Sequence, residues 1–191
     1  MEVIASGAEA VITLENDTII KTRIQKRYRV KDIDEVIRRE RTRTEARLIS
    51  EARRCGIPTP IIRDVTDFQI KMEYIDGIPL KKIISPLLSQ MIGELIGRLH
   101  GCGIVHGDLT TSNILWRDNK LFLIDFGLAY LDKTLEARGV DIHVLFQTYE
   151  STHENHEELI RTFKTGYSRT FKDADEVIER VKQIESRGRY A

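Results

Sequence analysis

Between residues 106 and 127 the chain reads His106-Gly107-Asp108-Leu109-Thr110-Thr111-Ser112-Asn113, then two short apolar runs, then Ile124-Asp125-Phe126-Gly127. The runs, Asn113 to Trp116 and Leu121 to Ile124, flank Asp118-Asn119, a turn pair, and so predict a β-hairpin. A hairpin brings its two ends together, which places Asn113 beside Asp125. Magnesium prefers a few oxygen ligands and keeps part of its water. Asn113 and Asp125 can supply such oxygens from opposite ends of one hairpin. A second carboxylate, Asp108, stands five positions before Asn113 and can orient or deprotonate an attacking hydroxyl or water.

The same two motifs resemble the protein-kinase catalytic loop H-x-D-L-x-x-x-N and its D-F-G element. That resemblance implies a cation on the nucleotide phosphates, held by an acid. Lys21 ends the β-rich run Thr18-Ile19-Ile20-Lys21 and fits the cation. Glu45 fits the acid, because Leu48, Ile49 and Ala52 follow it at i+3, i+4 and i+7 on one helical face. Ser6-Gly7-Ala8-Glu9-Ala10 lies where a kinase places its glycine-rich phosphate loop, with one glycine in place of three. Met72-Glu73-Tyr74-Ile75 lies where a kinase places its adenine-binding hinge, which assigns the backbone of Glu73 and Ile75 to adenine. ATP and Mg2+ are the implied cofactors. Gly107 replaces the arginine of H-R-D, and no A-P-E follows Asp125-Phe126-Gly127, so control by activation-loop phosphorylation is not expected. Asp141 is the expected anchor of the catalytic loop.

The remaining sequence places these residues. Ala8 to Leu14 and Thr18 to Arg23 read as strands around the Asn16-Asp17 turn. A helix is predicted from about Asp32, as its cap, to Arg54, stopped by Gly56 and Pro58. Ile61 to Val65 is a weak strand, and Phe68, Ile70, Met72 and Tyr74 alternate as on another. Asp76-Gly77-Ile78-Pro79 breaks the chain. Leu87 to Leu99 carries a broad apolar stripe at helical spacing, and further helices are predicted over 141–149, 156–165 and 174–185. The expected fold is α+β: one minimal two-lobed kinase-like domain over 1–191, with a small β-rich N-lobe (1–75) and a reduced helical C-lobe (76–191).

Several stretches narrow the resemblance to the small atypical kinase subunit of the KEOPS complex, the Bud-type or PRPK family. They are Ile4 to Ala10, Ile20 to Arg29, Arg43-Thr44-Glu45-Ala46-Arg47, His106 to Asn113 and Arg187-Gly188-Arg189. That resemblance covers almost the whole chain and implies an ATP-dependent Ser/Thr protein kinase and ATPase that supports threonylcarbamoylation of tRNA adenosine. Its implied partners are the threonylcarbamoyl transferase subunit and a small bridging subunit. The family commonly ends in a basic Arg-Gly-Arg-Lys-Arg, whereas this chain closes with Tyr190 and Ala191 after Arg189. The rival readings are a RIO-type kinase, a small-molecule phosphotransferase of the aminoglycoside type, or a nucleotide-binding scaffold without turnover.

Composition sets the outer bounds. The formal charge is zero, from 30 basic and 30 acidic residues. The stretch from Lys21 to Arg54 nevertheless holds 13 basic residues against six acidic ones, an excess of seven. That segment is a candidate tRNA or partner surface, working through phosphate contacts since no aromatic residues are interleaved for base stacking. No apolar stretch is long enough for a membrane span, and the early Glu2 argues against a signal peptide, so a cytoplasmic protein is expected. Cys55 and Cys102, the only cysteines, are expected as reduced core thiols.

Overall fold

The structure is a computed structural model that describes residues 2–188; Arg189, the last matching residue of the tail motif, and the departing Tyr190 and Ala191 lie outside the described residues. Five antiparallel strands form the first sheet: β1 (Glu2–Ser6), β2 (Ala10–Glu15), β3 (Thr18–Arg23), β4 (Ile62–Val65) and β5 (Gln69–Glu73), in the order β1-β2-β3-β5-β4. β1 is a strand that the sequence reading placed no element on. Its five residues are all exposed, so it shows no alternation to find. β2 and β3 turn at Asn16 and Asp17, both at positive φ, as a tight hairpin requires. In β5, Ile70 and Met72 are buried, and Gln69, Lys71 and Glu73, which alternate with them, are less so.

Helix α1 (Lys31–Arg54) packs beneath this sheet, chiefly against β4 and β5. It begins one residue before the predicted cap. Its N-cap is Val30, with no side-chain capping bond, so Asp32 does not cap it. The working carboxylate is Asp34, fully buried, which accepts from the Lys26 N–H at 3.2 Å and from Arg38 Nε at 2.7 Å. These bonds hold the chain entering α1 against its first turn.

A short strand, β6 (Ile78–Pro79), leads into the helical part. There α2 (Pro86–Gly101) runs against α4 (His156–Thr170), with α3 (Leu135–Thr152) and α5 (Ala174–Gly188) packed alongside. The last three helices extend beyond their predicted ends. α2 and α4 meet backbone to backbone. A Cβ on Gly93 would stand 2.2 Å from the Phe163 carbonyl oxygen, and one on Gly166 would stand 1.9 Å from that of Gln90. Around this close approach, Ile92, Leu95, Ile96 and Leu99 of α2 share one buried core with Phe163 and Tyr167 of α4.

Four further strands support the site. β7 (Ile104–Val105) pairs with β10 (Tyr130–Leu131), and β8 (Ile114–Arg117) pairs with β9 (Lys120–Leu123) as the predicted hairpin, turning at Asp118-Asn119. One expectation is overturned. Cys55 and Cys102 form a disulfide with Cα atoms 6.5 Å apart. Each is the residue that closes its helix, α1 and α2, and the two helix ends converge. Neither is a core thiol: Cys102 is exposed and Cys55 half-buried. Sequence spacing carries no trace of two helix ends meeting.

Candidate active site

The sheet and the β8–β9 hairpin face each other across a cavity of about 420 Å3. Lys21, Glu45, Glu73, Ile75, Asn113 and Asp125 all line it, with Ile12, Ile19, Met72, Leu115 and Ile124 as apolar walls. An apolar slot with a few convergent polar groups is the usual form of a small-molecule site.

At its inner end, Lys21 Nζ donates to Glu45 Oε1 at 2.6 Å and to Asp125 Oδ1 at 2.7 Å. Lys21 is 7% exposed and Glu45 1%. Two buried charges are stable only as a well-bonded pair. The structure therefore brings together the three residues that the sequence placed on a strand, a helix and a hairpin. Burial alone would lower the Lys21 pKa, but the carboxylates of Glu45 and Asp125 outweigh it and raise the pKa above the ordinary lysine value. Burial likewise pushes Asp125 up, and the Lys21 ammonium overcomes it, holding that carboxyl below its usual range.

A fourth member escaped sequence reasoning. Arg23 Nη2 donates to Glu45 Oε2 at 2.6 Å, and Arg23 is 5% exposed. It lies two residues after Lys21 on the same strand face, so the period of two was the available signal. Glu45 thus serves two cations, one on each oxygen.

Asn113 Nδ2 donates to the Asp108 carbonyl at 2.9 Å and to Asp108 Oδ2 at 3.0 Å. This turns the Asn113 side-chain oxygen away from Asp108 and leaves it as an acceptor. Asp125 uses Oδ1 for Lys21 and for the Gly127 N–H at 3.2 Å, leaving Oδ2, with a side chain 42% exposed. Among the described residues no group of three or more His, Cys, Asp or Glu could hold a metal by itself. One carboxylate and one amide oxygen, completed by phosphate and water, is the donor set magnesium takes in nucleotide sites, so the residues fit that ion. Asp108 lies outside the cavity lining, at the lip beside Asn113.

Asp141, on α3, holds the His106–Gly107 backbone of the predicted catalytic loop. It is 1% exposed, and it accepts from the His106 N–H at 2.8 Å, the Gly107 N–H at 2.9 Å and His100 Nε2 at 3.1 Å. Burial opposes its charge, but the bonds from His100 and the backbone hold its pKa below the ordinary value. His106 is itself fixed, its Nε2–H donating to the Ile124 carbonyl at 3.0 Å and its Nδ1 accepting from the Asp108 N–H at 3.3 Å. Gly107 shows why no arginine stands there. Its φ is +79°, and a Cβ would lie 2.2 Å from the Leu128 carbonyl oxygen.

Ser6 ends β1, and Gly7 and Ala8 lie in the exposed turn from β1 to β2, outside the cavity lining but at its edge, since Ile4 and Ala5 line it. The predicted hinge segment is held by the Glu73 N–H on the Ile61 carbonyl at 2.9 Å and the Tyr74 N–H on the Asp17 carbonyl at 3.2 Å. Neither bond uses Ile75, whose side chain is buried in the cavity wall.

The basic segment is largely engaged within the fold. Lys21, Arg23, Lys26, Arg29, Arg38, Arg39, Arg41, Arg43 and Arg47 each face a carboxylate within 4 Å. Glu9 and Asp67, from outside the segment, supply part of that negative charge. No helix among the described residues is long and apolar enough to cross a membrane.

Comparison with known proteins gives a consistent family. Residues 13–161 match the RIO domain. A probable bifunctional tRNA threonylcarbamoyladenosine biosynthesis protein of Methanosarcina barkeri is 60% identical over 100% of this chain and 36% of its own length. The chain thus spans about a third of such relatives. A probable serine/threonine-protein kinase BUD32 homolog of Archaeoglobus fulgidus is 44% identical over 96% of this chain and 94% of its own. The KEOPS complex subunit Bud32 of Pyrococcus abyssi is 39% identical, covering 100% and 96%. Among solved structures, the Rio2 kinase–ADP/Mg2+–phosphoaspartate complex from Chaetomium thermophilum has a TM-score of 0.68 at 17% identity, covering 97% of this chain and 72% of that one, which shows the kinase-like fold. The RIO and Bud-type readings are therefore not rivals, and the chain belongs to the Bud32 family of RIO-domain proteins.

Proposed function

We propose that this chain is the ATP-dependent kinase and ATPase subunit of a KEOPS-type assembly that supports threonylcarbamoyladenosine formation in tRNA. The observation that carries the reading is the buried Lys21–Glu45 pair joined to Asp125 at the end of an apolar slot, with Asn113 and Asp108 beside it. The names of its full-length and longer relatives point the same way.

In this reading, residues 1–75 and 76–191 form the two lobes of one domain. Adenine lies in the apolar slot against the backbone of Glu73 and Ile75. Lys21 holds the α- and β-phosphates, and Glu45 holds Lys21. The turn Ser6-Gly7-Ala8 covers the phosphates. Asn113 and Asp125 hold magnesium, which when bound neutralises phosphate charge. Asp108 orients the attacking group, either a Ser/Thr hydroxyl or water. Asp141 and His106 fix the backbone that carries Asp108.

The partners proposed are the threonylcarbamoyl transferase subunit and the small bridging subunit, in the cytoplasm. tRNA contact through residues 21–54 is kept as a lesser element, because most of that segment's cations already face carboxylates. The test is magnesium-dependent ATP turnover by the chain, alone and with the transferase subunit and tRNA. Asp125→Ala is expected to abolish turnover through loss of metal. Asp108→Ala is expected to abolish it while leaving nucleotide affinity within about twofold. Turnover unchanged in both variants refutes the assignment.

A further inference from the structure

The turn that covers the phosphates is poorly equipped for that task by itself. It has one glycine, and the Gly7 N–H is already spent on the Ala10 carbonyl at 3.0 Å. At Ala8 the loop presents a carbonyl to a cation: Lys26 Nζ donates to the Ala8 oxygen. A phosphate loop normally works by turning N–H groups to its ligand. Here a lysine reaches the loop instead.

Lys26 is placed with care. It lies on the connection from β3 to α1, at the end of the sheet where Ala10 pairs with Arg23 and the Ile24 N–H bonds the Glu9 carbonyl at 3.1 Å. Its own N–H is anchored on the fully buried Asp34, which Arg38 also holds. Its side chain is only 14% exposed. Its ammonium also stands 3.5 Å from Glu9 Oε1, but Glu9 has a better partner, since Arg41 Nη1 donates to Oε2 at 2.8 Å. The ammonium can leave Glu9 without stranding a carboxylate. Lys21 is already bonded to two acids at the inner end of the site, so it cannot alone balance a triphosphate.

We propose that Lys26 is a substrate-binding residue for the terminal phosphate of the nucleotide. Its ammonium rests on the Ala8 carbonyl in this structure and moves to the γ-phosphate when ATP binds. It thus stands in for the amides that a three-glycine loop would offer. This inference rests on the ATP-site reading above.

The experiment compares binding of Mg–AMP-PNP and Mg–ADP by calorimetry in the full chain, its Lys26→Met variant and its Lys26→Arg variant. A charge-assisted bond to the γ-phosphate predicts a loss of roughly tenfold to a hundredfold in AMP-PNP affinity for Lys26→Met. ADP affinity should stay within about twofold, and Lys26→Arg should recover most of the AMP-PNP affinity. Equal losses for both nucleotides would make Lys26 a staple of the loop and overturn the inference alone. No loss for either would overturn it as well. A wild-type chain that binds neither nucleotide removes the ATP-site reading and this inference with it.

Discussion

Asp141→Asn isolates what one buried carboxylate does for the catalytic loop. The change keeps size and shape and removes only charge and one acceptor. In the native chain Oδ1 accepts from the Gly107 N–H, and Oδ2 accepts from the His106 N–H and from His100 Nε2. Whichever way the new amide turns, its NH2 faces a backbone N–H. At least one buried donor then loses its acceptor, at about 1 to 3 kcal/mol. The bonds that remain are no longer charge-assisted, which costs about 1 kcal/mol each. The sum is about 3 to 5 kcal/mol. Urea unfolding at neutral pH reads that loss directly. Steady-state ATP turnover reads its consequence. kcat should fall at least tenfold because the displaced segment carries Asp108, and KM for ATP should move little because Asp141 and the backbone it holds lie outside the nucleotide cavity. The pH dependence adds a check. The Asp141 pKa is lowered by folding. Its contribution is therefore complete above the unfolded value near ~3.9 and is lost as pH falls through the lower folded value. The stability gap between wild type and variant should close in acid below the unfolded value. A variant with wild-type midpoint and kcat, or a gap that persists in that acid, refutes the reasoning.

Four further outcomes are expected. Lys21→Met should abolish turnover yet cost only about 1 to 3 kcal/mol in chemical unfolding, since Arg23 remains on Glu45. Glu45→Ala strands the buried Arg23 guanidinium and leaves Lys21 with Asp125 alone, and should cost about 3 to 5 kcal/mol; equal losses would disprove the sharing of Glu45. Gly166→Ala drives a Cβ into the Gln90 carbonyl and should lower stability by about 1 to 3 kcal/mol or more by forcing α2 and α4 apart, as followed by thermal melting. Reducing the Cys55–Cys102 bond, or replacing both residues by Ser, should remove about 2 to 4 kcal/mol for a cross-link across 47 positions, with the midpoint of a melt in reductant as the readout.

Legibility in the sequence follows the range of the interactions. The β8–β9 hairpin and the catalytic loop can be read because local turn chemistry and fixed spacing specify them. Glu45 can be assigned because a carboxylate on an apolar helical face needs a cation, and the structure supplies two. Arg23 escapes although it shares a strand face with Lys21. A count of +7 along the segment treats it as surface charge, when burial makes it part of the site. The disulfide and β1 escape for another reason. The first depends on where two helices end in space. The second is an edge strand with no buried face, specified by its partner β2 rather than by its own pattern. The basic segment is legible only in part: a count of charges along the chain carries no information about the acids that fold back onto them.

The contact between Gly107 and Leu128 limits what mutation can reach. An arginine at 107 is the residue that would receive a phosphate from a modified loop, and here its Cβ would collide with the carbonyl of Leu128. The backbone there is also in a left-handed conformation that such a side chain resists. Gaining that arginine therefore requires rerouting the segment after Gly127 at the same time. A substitution at Gly107 alone meets both the clash and the backbone strain, so this position is closed to any side chain while Leu128 stays where it is.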